Sequence, residues 1–280
     1  MRLFVGARLT GPYSNDPMTI LTLRNVSKVF ANPDNGTDQV HALENVSLEV
    51  QAGEFFSIIG PSGCGKSTLL RIIGGLMPAS SGELTVGDEH VNGPHPWIGM
   101  VFQEESTFPW RTTLANVEFG LEMRGVAQSE RREKAREMVR LVGLSGFEQR
   151  YPSELSGGMK QRVAIGRALV LEPKILLMDE PFGALDPGIR LRMQELLIEL
   201  WKEQEDTVFL VTHSVEEAVY LGDRVFVMAP NPGRLVEILK VPRPAEPPEE
   251  SRRKPWFINF CQTLLRRLEE ESPVAAGIKV

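Results

Sequence analysis

One eight-residue pattern constrains this sequence more than any other. Residues 60–67 read GPSGCGKS, which satisfies the pattern G-x-x-x-x-G-K-[ST] of phosphate-binding loops. The apolar run Phe55–Ile59 precedes it, and a helix-forming run at residues 67–73 follows it. Glycines between a buried strand and a helix let the backbone wrap closely around phosphate oxygens. The pattern therefore predicts an α/β domain with a phosphate site, and the strand–loop–helix context disfavours an ordinary glycine-rich turn.

Each part of the loop has a physical task. Its backbone N–H groups bind anions, Lys66 brings a charge to the β- and γ-phosphates, and Ser67 offers a hydroxyl to Mg²⁺. Cys64 lies near a helix N-terminus, where a thiol pKa tends to fall, so it is either a reactive thiol or a small residue that fills the loop. We favour the second interpretation. The predicted nucleotide-binding residues here are Gly60, Pro61, Ser62, Gly63, Cys64, Gly65, Lys66, Ser67 and Thr68.

Composition narrows the class of protein. The chain has 280 residues, of which 42% are apolar and 24% charged, so it can form an ordinary core as one large domain or two small ones. The net charge of -6 argues against a nucleic acid as the main partner. The longest run without a charged side chain, residues 90–103, is too short and too rich in proline to span a membrane. With two cysteines and no signal-peptide pattern, the sequence indicates a cytosolic protein.

Strand and helix patterns alternate along the chain, which predicts a largely parallel sheet. Residues 32–38 are dense in turn formers and predict a hairpin loop between the first two strands. The stretch from about residue 104 to 154 predicts a helical insertion. Predicted strands lie at 20–26, 43–50, 55–60, 175–178, 208–211 and 225–228, and predicted helices at 114–123, 129–144, 155–171, 189–205 and 214–221.

The two ends of the chain have their own patterns. Residues 1–17 lack periodicity and predict a flexible leader, and residues 272–280 predict a frayed end. Residues 242–248 are rich in proline and predict a stiff linker. The following residues, 256–268, place apolar side chains on one stripe of a helix, which most often packs against the parent domain. Contact of this stripe with a partner or a membrane surface is the alternative.

Two acids follow a continuous apolar run at residues 175–178, as expected for a central parallel strand. Ligands of open α/β sheets bind outside the carboxyl ends of the strands, so Asp179 and Glu180 are delivered to the phosphate site. Adjacent residues of an extended chain point in different directions. We therefore assign Asp179 to the metal and Glu180 to water activation as the general base. His213 follows another apolar strand and is predicted to donate to the γ-phosphate and position the water.

A further segment, LSGGMKQR at residues 155–162, resembles the signature motif of ABC-type ATPases. The other motifs occur in that family's order: the phosphate loop, Gln103 in a strand-to-helix joint at residues 101–104, the signature, Asp179-Glu180, the segment GALD at 183–186, and His213. From about residue 18 to 242, the sequence resembles the nucleotide-binding subunit of an ABC transporter.

That resemblance implies a P-loop NTPase core with a mixed, mainly parallel sheet, an N-terminal antiparallel β subdomain and an inserted helical subdomain at about 104–160. It implies ATP and Mg²⁺ as cofactors, and a head-to-tail dimer in which one copy's signature helix closes over ATP on the other's phosphate loop. Gln103 would reach Mg²⁺ or the water and link to the membrane partner. The remaining nucleotide-contacting residues so implied are Phe30, Ser156, Gly157, Gly158, Gln161 and Asp186, with Phe30 stacking on adenine or simply packing in the core.

Flanking segments at 101–110 and 224–234 resemble the nitrate, sulfonate, taurine and bicarbonate importer group. The implied partners are a second ATPase subunit, transmembrane permease subunits and, indirectly, a solute-binding protein. The implied location is peripheral, at the cytoplasmic face of the inner membrane. Residues 243–280, the linker and final helix, are too short for the regulatory β-domain of some importer ATPases. Three alternatives stay open: an ABC importer ATPase for another small solute, a non-transport ABC ATPase of DNA repair or translation, and a small-molecule kinase. The kinase would leave LSGGMKQR unexplained.

Overall fold

The computed structural model describes residues 18–31, 39–104, 106–204, 206–242 and 248–271. The predicted leader at 1–17, hairpin loop at 32–38 and frayed end at 272–280 lie outside the described residues, as does most of the predicted linker.

Two sheets organise the described part of the chain. The first is antiparallel, in the order β2-β1-β4-β5, and the second has six strands in the order β10-β9-β3-β8-β7-β6. The strands are β1 (Thr19–Ala31), β2 (Gln39–Gln51), β3 (Phe55–Ile59), β4 (Ser81–Val86), β5 (Glu89–His90), β6 (Ile98–Val101), β7 (Ile175–Asp179), β8 (Thr207–Val211), β9 (Arg224–Ala229) and β10 (Arg234–Lys240).

The helices are grouped along the chain. One follows the glycine-rich loop, three form the middle of the chain, and the rest alternate with the later strands or end the described chain. They are α1 (Lys66–Ile73), α2 (Thr113–Met123), α3 (Gln128–Leu141), α4 (Gly157–Leu169), α5 (Pro187–Gln204), α6 (Val215–Leu221), α7 (Pro248–Ser251) and α8 (Pro255–Glu270).

The six-stranded sheet is parallel from β9 to β6, and only its edge strand β10 runs antiparallel, against β9. Every residue of β3, β7 and β8 is buried. Strands covered on both faces need apolar residues at successive positions, which is why apolar and polar residues do not alternate along these three strands. The parallel sheet carries the carboxyl ends of β3, β7 and β8 to one edge.

This sheet separates two apolar cores. On β3, Phe55 and Ile59 belong to the core shared with most of the helices, whereas Phe56 and Ile58 belong to the core shared with α1 and the antiparallel sheet. Successive side chains of a strand point to opposite faces of the sheet, so the five residues of β3 contribute to both cores. The loop after β3 is thereby anchored to the most buried part of the molecule.

The predicted fold class is confirmed, including the hairpin pairing of β1 with β2 and the parallel sheet. The prediction placed a strand before Gln103, where β6 lies, without giving its bounds, and it did not name β4, β5 or β10. These strands are short or half-exposed and so carry weak apolar patterns. The final helix packs against the parent domain as predicted, because Phe257, Cys261 and Leu264 are buried in the helical core. The proposed domain boundaries at 17/18 and 242/243, and the helical subdomain at about 104–160, stay a prediction.

Candidate active site

The glycine-rich loop connects the end of β3 to the first residue of α1. Gly63 and Gly65 have φ angles of 77° and 90°, in the left-handed region that glycine adopts without cost. A Cβ on Gly65 would lie 2.7 Å from the carbonyl oxygen of Ala42. A Cβ on Gly60 would lie equally close to Cys64 Sγ. Only glycine at these positions permits the tight path that the sequence pattern predicts.

Lys66 places a positive charge inside this loop. Its side chain is buried, and Nζ donates to the carbonyl oxygens of Gly60 at 2.8 Å and Pro61 at 3.0 Å. The ammonium therefore lies within the curve of the loop, close to the N-terminus of α1. A helix N-terminus and a buried cation together favour a bound anion.

Cys64 is fully buried beneath the same loop. Burial raises the pKa of its thiol, and this effect outweighs the opposing influence of the neighbouring Lys66 ammonium. A thiol that stays protonated and has no access to solvent is a poor nucleophile. The structure favours the packing interpretation of Cys64 over the reactive one.

Ser67 and Asp179 meet at the mouth of the loop. Ser67 Oγ donates to Asp179 Oδ1 at 3.1 Å, although 112 residues separate them in sequence. Burial raises the pKa of the Asp179 carboxyl, while the bond from Ser67 and the charges of Arg71 and Lys66 oppose that shift. The pair consists of hard oxygen donors, the type that Mg²⁺ prefers alongside phosphate oxygens and water. Among the residues that the structure describes, no group of three or more His, Cys, Asp or Glu is arranged to hold a metal ion.

Glu180 is held from two sides. Gln103 Nε2 donates to its Oε2 at 3.1 Å, and His213 Nε2 lies 2.5 Å from its Oε1. Its φ of 47° is unusual for a residue other than glycine, and its N–H donates to the carbonyl oxygen of Val211 at 2.9 Å. Glu180 thus leaves the extended conformation that the sequence argument assumed. The left-handed turn sends its side chain toward Gln103 and His213 while Asp179 contacts Ser67.

The signature segment begins α4. Ser156 is its N-cap, and Ser156 Oγ accepts a bond from the N–H of Met159 at 3.3 Å. Gly157 and Gly158 form the first turn, where backbone N–H groups have no partner within the helix. Gln161 is buried instead, and its side chain donates to the carbonyl oxygen of Phe102 at 3.3 Å. Its predicted contact with nucleotide stays a prediction.

Two other predicted residues, Asp186 and Phe30, have contacts of their own. Asp186 is exposed, and its Oδ1 accepts a bond from the N–H of Ile189 at the start of α5. Phe30 is 37% exposed near the end of β1, opposite Val40, with the Lys28 ammonium 5.1 Å from its ring centroid. Stacking of Phe30 on adenine therefore stays a prediction. The described contacts join Gln103, Glu180 and His213 into one group and Ser67 with Asp179 into another.

The ABC transporter family model matches residues 43–183. The chain belongs to this family. The nitrate import ATP-binding protein NrtD of Synechocystis sp. is 44% identical over 264 residues, which are 91% of this chain and 98% of the relative. The taurine import ATP-binding protein TauB of Roseobacter denitrificans is 47% identical over 225 residues, 80% of this chain and 83% of the relative.

A solved structure has the same fold. It is the dimeric post-hydrolysis state of the ATP-binding cassette MJ0796 bound to ADP and Pi, with a TM-score of 0.74 and 36% identity. The alignment covers 80% of this chain and all of that one. Among the helices of the described ranges, none has both the length and the apolar character needed to cross a bilayer.

The sequence analysis did not identify Thr212 and Glu217, whose contacts hold the segment around His213 in place. Thr212 Oγ1 donates to Glu217 Oε2 at 2.6 Å, directly beside His213. Ser214 caps α6 by accepting a bond from the N–H of Glu217 at 3.2 Å. The helix predicted at residues 214–221 is confirmed, and the spacing S-x-x-E at 214–217 is a helix-start signature. Nothing local indicates that the Glu217 carboxylate turns toward Thr212.

Proposed function

We propose that this chain is the ATP-binding and ATP-hydrolysing subunit of an ABC import system. The observation that carries the proposal is the position of Glu180, held by Gln103 and His213 at the sheet edge where Asp179 meets Ser67 of the phosphate loop. This arrangement combines an anion-binding loop with a carboxylate suited to accept a proton from water. Family membership makes ATP the nucleotide.

In the proposed reaction, the loop N–H groups and Lys66 bind the phosphates and offset their charge. Glu180 orients a water molecule toward the γ-phosphate and accepts its proton as the new oxygen–phosphorus bond forms. The bond between the γ-phosphorus and the bridging oxygen breaks at the same time, so that ADP leaves with that oxygen and inorganic phosphate is released. His213 lies against the same carboxylate, so its ring orients Glu180 and can donate to the γ-phosphate. Gln103 restrains the other oxygen of Glu180.

The Ser67 hydroxyl and the Asp179 carboxylate are the residues that would hold Mg²⁺, with Gln103 as a further predicted ligand. When bound with the nucleotide, Mg²⁺ would neutralise charge on the β- and γ-phosphate oxygens. Asp179 is held in place for this role by its position as the last residue of the buried strand β7.

A second copy of the chain is the proposed partner in nucleotide binding. The N-terminus of α4, with Ser156, Gly157 and Gly158, would close over the triphosphate of the other copy, because helix N-termini bind anions. Asp186 would lie at the seam between the copies. The similar cassette MJ0796 is described as dimeric, which supports this arrangement.

The relatives NrtD and TauB are named for nitrate and taurine import, which supports import of a small solute of the nitrate, sulfonate, taurine or bicarbonate type. The partners would be permease subunits in the membrane and, through them, a solute-binding protein. The side chain of Trp110 is 72% exposed a few residues after Gln103, at the segment proposed to contact the permease. We place the subunit at the cytoplasmic face of the membrane, bound through that partner.

The test is release of phosphate from ATP by the full chain with Mg²⁺. We expect the unaltered protein to turn over ATP and Glu180→Gln to lose about 10²–10⁴-fold in kcat, as expected when a general base is removed. ATP binding should persist in this variant. Glu199→Gln, the same chemical change at an exposed position of α5, is the matched control. Near-normal turnover by Glu180→Gln would refute the role of Glu180.

A further inference from the structure

A buried polar network lies behind His213 and reaches the C-terminal segment of the chain. Glu217, on α6, is its centre. One carboxylate oxygen of Glu217 accepts from Thr212 Oγ1 at 2.6 Å, and the other accepts from Gln194 Nε2 at 3.1 Å. All three side chains are buried. Buried polar groups that satisfy each other in this way fix one another's positions.

The network controls the backbone on both sides of His213. Thr212 precedes the histidine, and its hydroxyl also accepts a bond from the N–H of Ser214 at 3.0 Å, which follows the histidine. The side chain of Thr212 is thus bonded to the backbone on the far side of His213. Glu217 fixes the position of the Thr212 hydroxyl by accepting its hydrogen bond. A change in Glu217 would move the backbone that aims the His213 ring at Glu180.

The same network extends to the chain's C-terminal segment. Arg252, just after α7, donates from Nη2 to Gln194 Oε1 at 2.5 Å. Its guanidinium also lies 4.1 Å from the ring centroid of Tyr220 on α6. Gln194 thus joins Arg252 on one side to Glu217 on the other. The separation of Arg252 from Gln194 in sequence is 58 residues, so only the fold creates this link.

A third branch leads to the loop that ends at Asp186. Arg190 donates from Nη2 to the carbonyl oxygen of Leu185 at 3.2 Å, and its Nε lies 3.8 Å from Glu217 Oε1. Glu217 consequently lies between the histidine turn and the segment proposed to face the second copy. The Glu217 carboxylate is thus bonded to the first segment and paired at longer range with the arginine that contacts the second.

We propose that Glu217 is a positioning residue for His213, and that Arg252 in the C-terminal segment tunes this positioning through Gln194. The inference rests on the proposed ATPase function of the site. The C-terminal segment would then act on hydrolysis rather than on nucleotide affinity, because none of these residues belongs to the phosphate loop. Displacement of this segment, for example by a bound partner, would slow ATP turnover.

The test compares Arg252→Ala with Arg253→Ala, which removes the same charge from the neighbouring, exposed position. We expect Arg252→Ala to lower kcat about 3–10-fold, the usual size of an effect transmitted through such contacts, with KM for ATP unchanged. Arg252→Lys keeps a donor and should recover part of the loss. In a His213→Ala background, Arg252→Ala should add nothing, because its effect passes through that ring.

A readout independent of hydrolysis is the NMR signal of the His213 ring, assigned among the four histidines by its loss in His213→Ala. Arg252→Ala and Glu217→Gln should both shift it, and Arg253→Ala should not. If the native chain hydrolyses ATP but Arg252→Ala matches Arg253→Ala in both kcat and the His213 signal, the inference is wrong and the proposed function stands. If the native chain does not hydrolyse ATP, the proposed function fails, and the His213 signal still decides whether the network positions the ring.

Discussion

Gln103 Nε2 donates a hydrogen bond to Glu180 Oε2 at 3.1 Å, across 77 residues of sequence. Gln103 follows β6 and Glu180 follows β7, and these neighbouring parallel strands bring the two residues together at one sheet edge. The amide restrains the carboxylate that we assign as general base. Gln103 therefore links the segment that follows β6, which includes the exposed Trp110, to the carboxylate proposed to activate water.

Replacement of Gln103 by alanine should release one oxygen of Glu180. A hydrogen bond to a charged group contributes about 1.5–3 kcal/mol, so we expect kcat for ATP hydrolysis to fall by about tenfold or more. Steady-state phosphate release measures this. Gln128→Ala, at an exposed position near the start of α3, is the matched control. Equal kcat values for the two variants would show that the bond to Glu180 has no part in turnover.

Loss of the Lys66 ammonium should weaken nucleotide binding. We expect Lys66→Ala to raise the Kd for ATP about 10–100-fold, since a charge-assisted contact to phosphate is lost. Isothermal titration calorimetry measures the affinity directly. Lys202→Ala, which removes a charge from the exposed face of α5, should leave it unchanged. An unchanged Kd for Lys66→Ala would contradict the assigned phosphate contact.

ATP should drive association of two copies when hydrolysis is blocked. With saturating ATP, Glu180→Gln should change from monomer to dimer by light scattering, because the triphosphate provides the anion that both the phosphate loop and the α4 N-terminus bind. Adding Lys66→Ala to the same variant should prevent this. A structure of the ATP-bound variant with Ser156 and Gly158 of the second copy far from the γ-phosphate would disprove the proposed dimer.

Asp206, just before β8, should make stability depend on pH. Burial, with a smaller contribution from nearby Glu172, raises the pKa of Asp206 from 3.8 to about 7. Between these values the folded chain holds a proton that the unfolded chain releases, so stability falls as the pH rises through this window. Asp206→Asn cannot ionise and should raise Tm relative to the native chain, more at pH 8 than at pH 5.

Thermal unfolding followed by circular dichroism at the two pH values tests this expectation. Asp88→Asn, an exposed carboxylate between β4 and β5, is the control and should leave the difference between pH 5 and pH 8 unchanged. A Tm gain for Asp206→Asn that is equal at both pH values would mean that the substitution acts through packing rather than ionisation.

The elements that the sequence predicts well are those with strong local signals. The strands β3, β7 and β8 are continuous apolar runs, and the phosphate loop requires its glycines and lysine in consecutive positions. The missed strands β4 and β10 are partly exposed and show only weak alternation. A strand or helix has a recognisable apolar pattern only where burial requires apolar side chains at regular positions.

The order and chemistry of the motifs, from the phosphate loop to His213, can be read from the amino-acid sequence, because each motif consists of neighbouring residues. Three features became visible only in the folded chain: Glu180 adopts a left-handed conformation, Gln103 donates to its carboxylate, and Arg252 donates to Gln194. These contacts join residues 58 or more positions apart, or depend on a neighbouring strand's carbonyl, so no local pattern encodes them. They arise from the order of strands in the sheet and the packing of helices against it.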